Sequence, residues 1–250
     1  MSVARPDNYF RHRITPTFFA HLFKGVAKSY FQELIPVLRP LVPEDAVVFD
    51  VGAHAGRFAK LFARLAPRGT VFAVEPGTYA RAILRVAMRL NRLRNVVILP
   101  FGLADAPGIA TLTVPVKKSG SYGYGLSHMG KHPGGNAEIE LVPVATLDAV
   151  AEALRLDRLD FLKADIEGFE YRMALGGRAT LARFRPALLL EMNFGYMARA
   201  GDSLETLWQM LRDMGYRPYE PTVARTPYDA PHQGDVLWLP EDRSQVSGIR

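Results

Sequence analysis

The spacing of apolar positions along this 250-residue chain changes period twice. Between residues 15 and 39, Phe18, Phe19, Leu22, Phe23, Val26, Tyr30, Phe31 and Leu34 recur at three- and four-residue steps, which predicts one or two helices. Pro36, Pro40 and Pro43 end that pattern. From residue 47 onward, short apolar runs alternate with helical stretches. Strands are expected at 47–50, 70–75 and 96–100, with helices at 57–66 and 79–90 between them. This βαβαβ order predicts a parallel sheet with right-handed crossovers. Residues 109–116 and 138–144 alternate with period two and read as two further strands. A helix at 147–154, a strand at 159–164 and a short helix ending at 175 continue the alternation. A strand at 186–191 follows, then a helix over 203–214 with Leu204, Leu207, Trp208 and Leu211 on one face. Residues 216–220 and 235–239 close the sheet as an antiparallel hairpin.

Residues 117–136 break the pattern with a glycine-rich stretch that carries Tyr122, Tyr124, His128 and His132. A connection this long inside a compact domain is usually a functional lid or disordered. The chain therefore divides into a helical extension over 1–43, an α/β domain over 44–240 and a polar tail over 241–250. The domain carries a hairpin or lid insertion at about 109–145, and the tail is expected to fray. The N-terminal helices either pack plainly on the domain, cover a cleft mouth or form a homodimer contact.

Chemistry concentrates at the strand ends. The run Val47-Val-Phe-Asp50-Val-Gly52-Ala53-His54-Ala-Gly56 passes from a strand through a glycine turn into a helix, and the next strand ends in Glu75. Glycines in such a turn let a ligand approach the backbone. The spacing of Gly52 and Gly56 does not fit G-x-G-x-x-G, and no Gly-Lys-Ser/Thr follows, so neither a dinucleotide nor a P-loop nucleotide is indicated. A carboxylate at position 50 suits a positively charged ligand better than a phosphate. Glu75 lies about 20 residues past the turn, where an acid can take both ribose hydroxyls. S-adenosyl-L-methionine carries an ammonium, a sulfonium and a ribose, and matches this pair. The other reading is a structural turn with an acid capping the helix.

Composition narrows the classes. There are no cysteines, which excludes disulfides, thiolate zinc sites and cysteine nucleophiles. No apolar run approaches the ~20 residues that span a bilayer, and residues 1–13 are polar, so a cytoplasmic protein is expected. The net charge of +6 comes mostly from arginine: Arg5, Arg11 and Arg13, then Arg81, Arg85, Arg89, Arg92 and Arg94. The second group repeats at helical spacing and reads as the wet face of one helix. An anionic acceptor or surface is the sharper reading, whereas no aromatic-interleaved basic stripe argues for nucleic acid.

Four segments together resemble the FkbM family of class I S-adenosylmethionine-dependent methyltransferases. They are Asp50-Val-Gly52-Ala-His-Ala-Gly56, Val74-Glu75-Pro76, Gly102-Leu-Ala-Asp105-Ala-Pro-Gly108, and Lys163-Ala-Asp165-Ile-Glu167-Gly168-Phe-Glu170 followed by Leu189-Leu-Glu191. The resemblance covers roughly residues 45–220 and is most specific at Asp165-Ile-Glu-Gly-Phe-Glu170. It implies a Rossmann-like fold with a mostly parallel seven-stranded sheet and helices on both faces. It also implies O-methylation of a sugar, glycan or secondary-metabolite hydroxyl. Carried over, Asp50, Gly52, Ala53, His54 and Gly56 would cradle the methionine portion of the donor, and Glu75 with Pro76 the ribose. The stretch 101–105, with Gly102 and Asp105, would line the adenine, although Asp105 equally suits a plain turn. Asp165 would stand at the reaction centre.

A sugar hydroxyl is a poor nucleophile, so a base or a metal is expected. Asp165 and Glu167 are the nearest carboxylates, although Glu167 equally suits a cap-region acid. His54 is open between a cofactor-side hydrogen bond and a substrate-side base, and His128 would need closure of the loop. Asp165, Glu191 and Asn193 resemble the magnesium sites of metal-dependent O-methyltransferases, being hard oxygen donors. An RNA methyltransferase, supported only by the basic charge, and an inactive module that keeps the fold are the competing readings.

Overall fold

The computed structural model describes residues 16–27, 31–115, 128–129 and 137–241. The readings that concern Arg5, Arg11, Arg13, Tyr30, Tyr122, Tyr124, His132 and the tail beyond 241 lie outside these residues. His128 is described only by its backbone.

Seven strands form the central sheet. They are β1 (Val47–Val51), β2 (Thr70–Val74), β3 (Val96–Leu99), β8 (Phe161–Ala164), β9 (Ala187–Met192), β10 (Tyr216–Tyr219) and β11 (Gly234–Pro240). Their order is β10-β11-β9-β8-β1-β2-β3. Every neighbour from β9 to β3 runs parallel, while β11 is antiparallel to both β9 and β10. The chain reverses its winding between β1 and β8, which opens a crevice at the carboxyl ends of those strands where ligands of such sheets bind. Both faces are covered, so the central strands read as nearly unbroken apolar runs.

Alternation along the strands assigns the two faces. Phe49, Val51, Leu162 and Leu188 pack under α5 (Leu147–Ala153), α6 (Glu170–Leu175), α7 (Arg178–Phe184), α8 (Phe194–Ala200) and α9 (Leu204–Asp213). Val48, Phe161, Leu189 and Leu237 pack under α3 (Arg57–Leu65) and α2 (Ile35–Leu38). Asp50 and Lys163 share the parity of Val48 and Phe161 and therefore face α3. Glu191 and Asp235 share the parity of Leu189 and Leu237.

A second sheet carries the insertion. Its order is β4-β7-β5-β6, built from β4 (Gly102–Leu103), β5 (Gly108–Pro115), β6 (His128–Met129) and β7 (Ala137–Ala145). β5 and β7 pair antiparallel along their length, from Gly108 opposite Val144 to Pro115 opposite Ala137. Leu112, Val114 and Val142 from this sheet pack with Tyr79 and Ile83 of α4 (Thr78–Leu90) and with Phe18 of α1 (Pro16–Ala27).

The N-terminal helix is held by polar contacts at its C-terminal end. Lys60, buried on α3, donates from Nζ to the carbonyls of Gly25 at 2.6 Å and Val26 at 3.2 Å. Asn91 Nδ2 donates to the same Val26 carbonyl at 3.3 Å. These donors satisfy carbonyls that a helix terminus leaves open. Midway along its length α1 reaches Tyr79, whose hydroxyl lies 3.0 Å from His21 Nδ1.

The arginine series does not lie on one helix face: Arg85 and Arg89 lie on α4, whereas Arg92 and Arg94 follow its end at Leu90. Arg85, Arg89, Arg92 and Arg94 are exposed. Arg81, also on α4, is half-buried and donates to the carbonyls of Glu75 and Pro76, clipping the turn between β2 and α4.

Candidate active site

A cavity of about 400 Å³ opens at the carboxyl ends of β1, β2 and β8. Of the residues singled out from the sequence, Asp50, Gly52, Ala53, His54, Glu75, Pro76, Asp165, Glu167 and Glu191 line it. Gly56, Gly102, Asp105 and Asn193 do not. Gly56 starts α3 with φ 81°, and a Cβ there would meet Leu84 Cδ1 at 2.5 Å. Gly102 is buried in β4 against Val144. Asp105 is exposed on the turn that follows β4, where the backbone of 104–105 rests on Gly176.

The glycine turn is shaped by its protein neighbours. Gly52 has φ 74°, and a Cβ at that position would lie 2.0 Å from the Asp165 carbonyl oxygen. This glycine lets the tips of β1 and β8 touch, which brings Asp50 and Asp165 to one place. His54 has φ 52° and donates its amide to Glu75 Oε2 at 2.8 Å. Glu75 Oε1 accepts from the Gly77 amide at 2.7 Å. The Glu75 carboxylate thus fixes both turns around the cleft. Burial pushes its pKa up to about 7, against the pull of the Gly77 and His54 amides and Arg81.

Asp50 is fully buried, and neither carboxylate oxygen makes a hydrogen bond. Its nearest cation is Lys163, with Nζ 3.8 Å from Oδ1, and the Ala59 amide also favours its charged form. Burial raises the Asp50 pKa to about 6 although Lys163 opposes the rise. The Lys163 ammonium also lies 3.4 Å from Asp165 Oδ2 and 5.1 Å from the centre of the Phe58 ring. Burial alone would strip the proton from Lys163, but Asp165, Asp50 and Asp235 hold it on and raise its pKa.

The far wall is acidic. Burial works against the charge of Asp165, but Lys163 and a hydrogen bond shared with Glu191 hold its carboxyl below the usual range. Glu191 takes the opposite shift, to about 8, through burial and the adjacent Asp165 charge. One proton between the two carboxyl groups accounts for both directions. Glu167 has φ 57° and points to the cavity, with its pKa raised to about 7 by burial and Asp165. Its carboxylate lies 3.9 Å from Arg199. The cap-region acid is Glu170, whose carboxylate accepts from the amides of Ile166 at 2.8 Å and Gly168 at 3.1 Å. The turn before α6 is therefore stapled by Glu170, which frees Glu167 for the cavity.

Of the residues proposed for magnesium, Asp165 and Glu191 come together at the cavity and Asn193 does not join them. Asn193 Oδ1 caps α8, accepting from the Tyr196 amide at 3.1 Å. Asp165 and Glu191 turn toward each other, and Lys163 already supplies the positive charge beside Asp165. Among the described residues no three His, Cys, Asp or Glu side chains are placed to hold a metal.

Several lining residues escaped sequence reasoning. Lys163 carried a readable signal, being a charged residue inside a central strand buried on both faces. Glu140 of β7 accepts from the Thr78 amide at 3.1 Å and from its hydroxyl, tying the insertion sheet to the N-terminus of α4. Phe31, stacked on Phe58 at 4.1 Å, and Tyr196 complete the walls.

A switch-point crevice ringed by a glycine turn and strand-tip acids defines a class I methyltransferase-like protein. The methyltransferase FkbM domain model matches residues 50–218, and the chain belongs to that family. It is 30% identical over 208 residues to the AMB antimetabolite synthetase AmbE of Pseudomonas aeruginosa, covering 70% of this chain but 10% of that protein. It is 26% identical over 159 residues to methyltransferase sdnD of Sordaria araneosa, covering 54% of this chain and 61% of sdnD. Among solved structures it is similar to an FkbM methyltransferase from Methylobacillus flagellatus. That match has 13% identity and a TM-score of 0.48, over 89% of this chain and 59% of that one. A SAM-dependent methyltransferase from Aquifex aeolicus matches with 13% identity and a TM-score of 0.46, over 88% and 96%. Among the described residues no helix is long and apolar enough to cross a membrane.

Proposed function

We propose that the chain is an S-adenosyl-L-methionine-dependent O-methyltransferase that acts on a hydroxyl of a sugar, glycan or secondary metabolite. The carrying observation is Asp50, a fully buried carboxylate on the cavity wall whose two oxygens have no hydrogen-bond donor. A buried charge left in this state is costly unless a ligand completes it. The α-ammonium of the donor is a fitting partner. Glu75 retains lone pairs beyond its two amide bonds and is placed to accept from ribose hydroxyls.

When bound, the donor supplies an electrophilic methyl group on a sulfonium. The chain's task is to bring an acceptor oxygen to about 3 Å from that carbon and to remove its proton. Asp165 is ionised and lines the cavity, so it can accept a hydrogen bond from the acceptor hydroxyl and orient that oxygen, while Glu167, with its pKa raised to about 7, is the better-matched base. Glu191 flanks Asp165 and accepts further acceptor hydroxyls. Such an acidic wall favours a neutral polyol over an anionic acceptor and gives no support to a nucleic-acid backbone. The match to an antimetabolite synthetase agrees with a secondary-metabolite acceptor.

Calorimetry with S-adenosylhomocysteine tests the reading. Asp50→Ala and Glu75→Ala should each weaken binding by about tenfold or more. Asp165→Ala should keep binding and lose methyl transfer from labelled donor to acceptor. Excess EDTA should leave transfer unchanged. A wild-type protein that gives no heat with S-adenosylhomocysteine would sink the assignment.

A further inference from the structure

The donor reading uses Asp50 and Glu75 and leaves Lys163 only the upkeep of the Asp165 charge. This lysine lines the cavity and is 5% exposed. Its ammonium carries three protons, yet its closest carboxylate oxygens stand 3.4 Å and 3.8 Å away. Charge-assisted hydrogen bonds close to about 2.7–2.9 Å. Asp50 is in the complementary state, buried and without a hydrogen bond. The two residues are register partners on adjacent parallel strands and point to the same face. A buried pair held this loosely gives up hydration and regains little of it. The arrangement is wasteful as a structural ion pair and suitable as a receptor for a group bearing both charges.

We propose that Lys163 binds the α-carboxylate at the amino-acid end of the donor while Asp50 takes the α-ammonium, so that β8 and β1 together read that end as a zwitterion. This rests on the donor assignment above and extends it to a residue that opens the Lys163–Glu170 segment but had been given no role there. Both charges of an α-amino acid sit on one carbon, a separation that matches two side chains from strands spaced about 4.8 Å apart. Docking a zwitterion here leaves the net charge of the buried cluster unchanged, whereas an amine alone would leave the ammonium of Lys163 facing another cation. Asp165, Asp235, Glu191, His54 and Arg57 also surround the site. Arg57 is the rival for the carboxylate, since it lines the same cavity from α3.

The test is calorimetry on the full chain with three probes: S-adenosylhomocysteine, its decarboxylated analogue, and 5′-methylthioadenosine, which lacks the amino-acid end. The wild type should prefer S-adenosylhomocysteine over the decarboxylated analogue by about tenfold or more. Lys163→Met should erase that preference, Lys163→Arg should keep it, and all three proteins should bind 5′-methylthioadenosine alike. No preference in the wild type overturns the proposal without any variant, which covers the case in which Lys163→Met does not fold. Preference kept by Lys163→Met and lost by Arg57→Met assigns the carboxylate to Arg57 and overturns it as well. Equal weakening of all three probes by Lys163→Met shows a structural lysine and has the same consequence. If the wild type binds no S-adenosylhomocysteine, the donor assignment itself fails; binding without preference sinks only the zwitterion.

Discussion

At the scale of single residues, the site works by keeping acids in places where water cannot serve them. Asp50 must be ionised to hold an ammonium, and burial places its pKa at about 6. Affinity for S-adenosylhomocysteine should therefore fall as pH drops below about 6, with Asp50→Asn weak and flat over the same range, as followed by calorimetry across pH. Asp50, Glu75 and Asp165 were legible in the sequence because each ends an apolar run, where a strand tip is the only economical place for an acid. Asp105 looked similar but lies on a turn that packs outward against Gly176. The cap role open to Glu167 belongs to Glu170 because a left-handed turn at 167 and 168 swings the later acid back onto the amides. Glu140 was illegible for a different reason: it meets Thr78 from 62 positions away, and no local pattern encodes such a contact.

At the scale of elements, close approach of turns decides what can vary. Gly168 has φ 105°, and a Cβ there would lie 2.3 Å from the Tyr196 carbonyl oxygen. Gly168→Ala should destabilise the fold by about 2–4 kcal/mol, read from urea unfolding. The N-terminal helix depends on fewer contacts. Lys60→Met removes the donor to Gly25 and Val26, so amide exchange in residues 16–27 should quicken while β1, β8 and β9 stay protected. The long strands and α3, α4 and α9 were readable because several turns of a period are on display. The seven-residue helices α7 and α8 were not, although the equally short α5 was, since all three span about two turns and only α5 follows a Thr146 cap that opens a clear apolar repeat.

At the scale of the whole molecule, the buried acids in and beside the cleft set how stability responds to pH. Asp50, Glu75 and Glu170 have pKa values raised by burial to about 6, 7 and 7. Between the ordinary carboxylate range and these values the folded chain binds more protons than the unfolded one, so these groups make stability fall as pH rises. Asp45 and Asp165 are shifted down and titrate below this window. The ligand-free protein should lose thermal stability between about pH 5 and 8, and S-adenosylhomocysteine should raise the melting temperature more at pH 8 than at pH 5, both measurable by scanning calorimetry. The parallel direction of β1, β2, β3, β8 and β9 was legible because strands that alternate with helices must be joined by crossovers, whereas their order in the sheet was not. The placement of β11 between β9 and β10 has its own outcome. The strand that bears Glu191 obtains its outer hydrogen-bonding neighbour only from residues 234–240. A translation product halted before that segment would present a bare, apolar margin ready to recruit other chains, so premature termination should yield insoluble aggregates and not a shortened working enzyme.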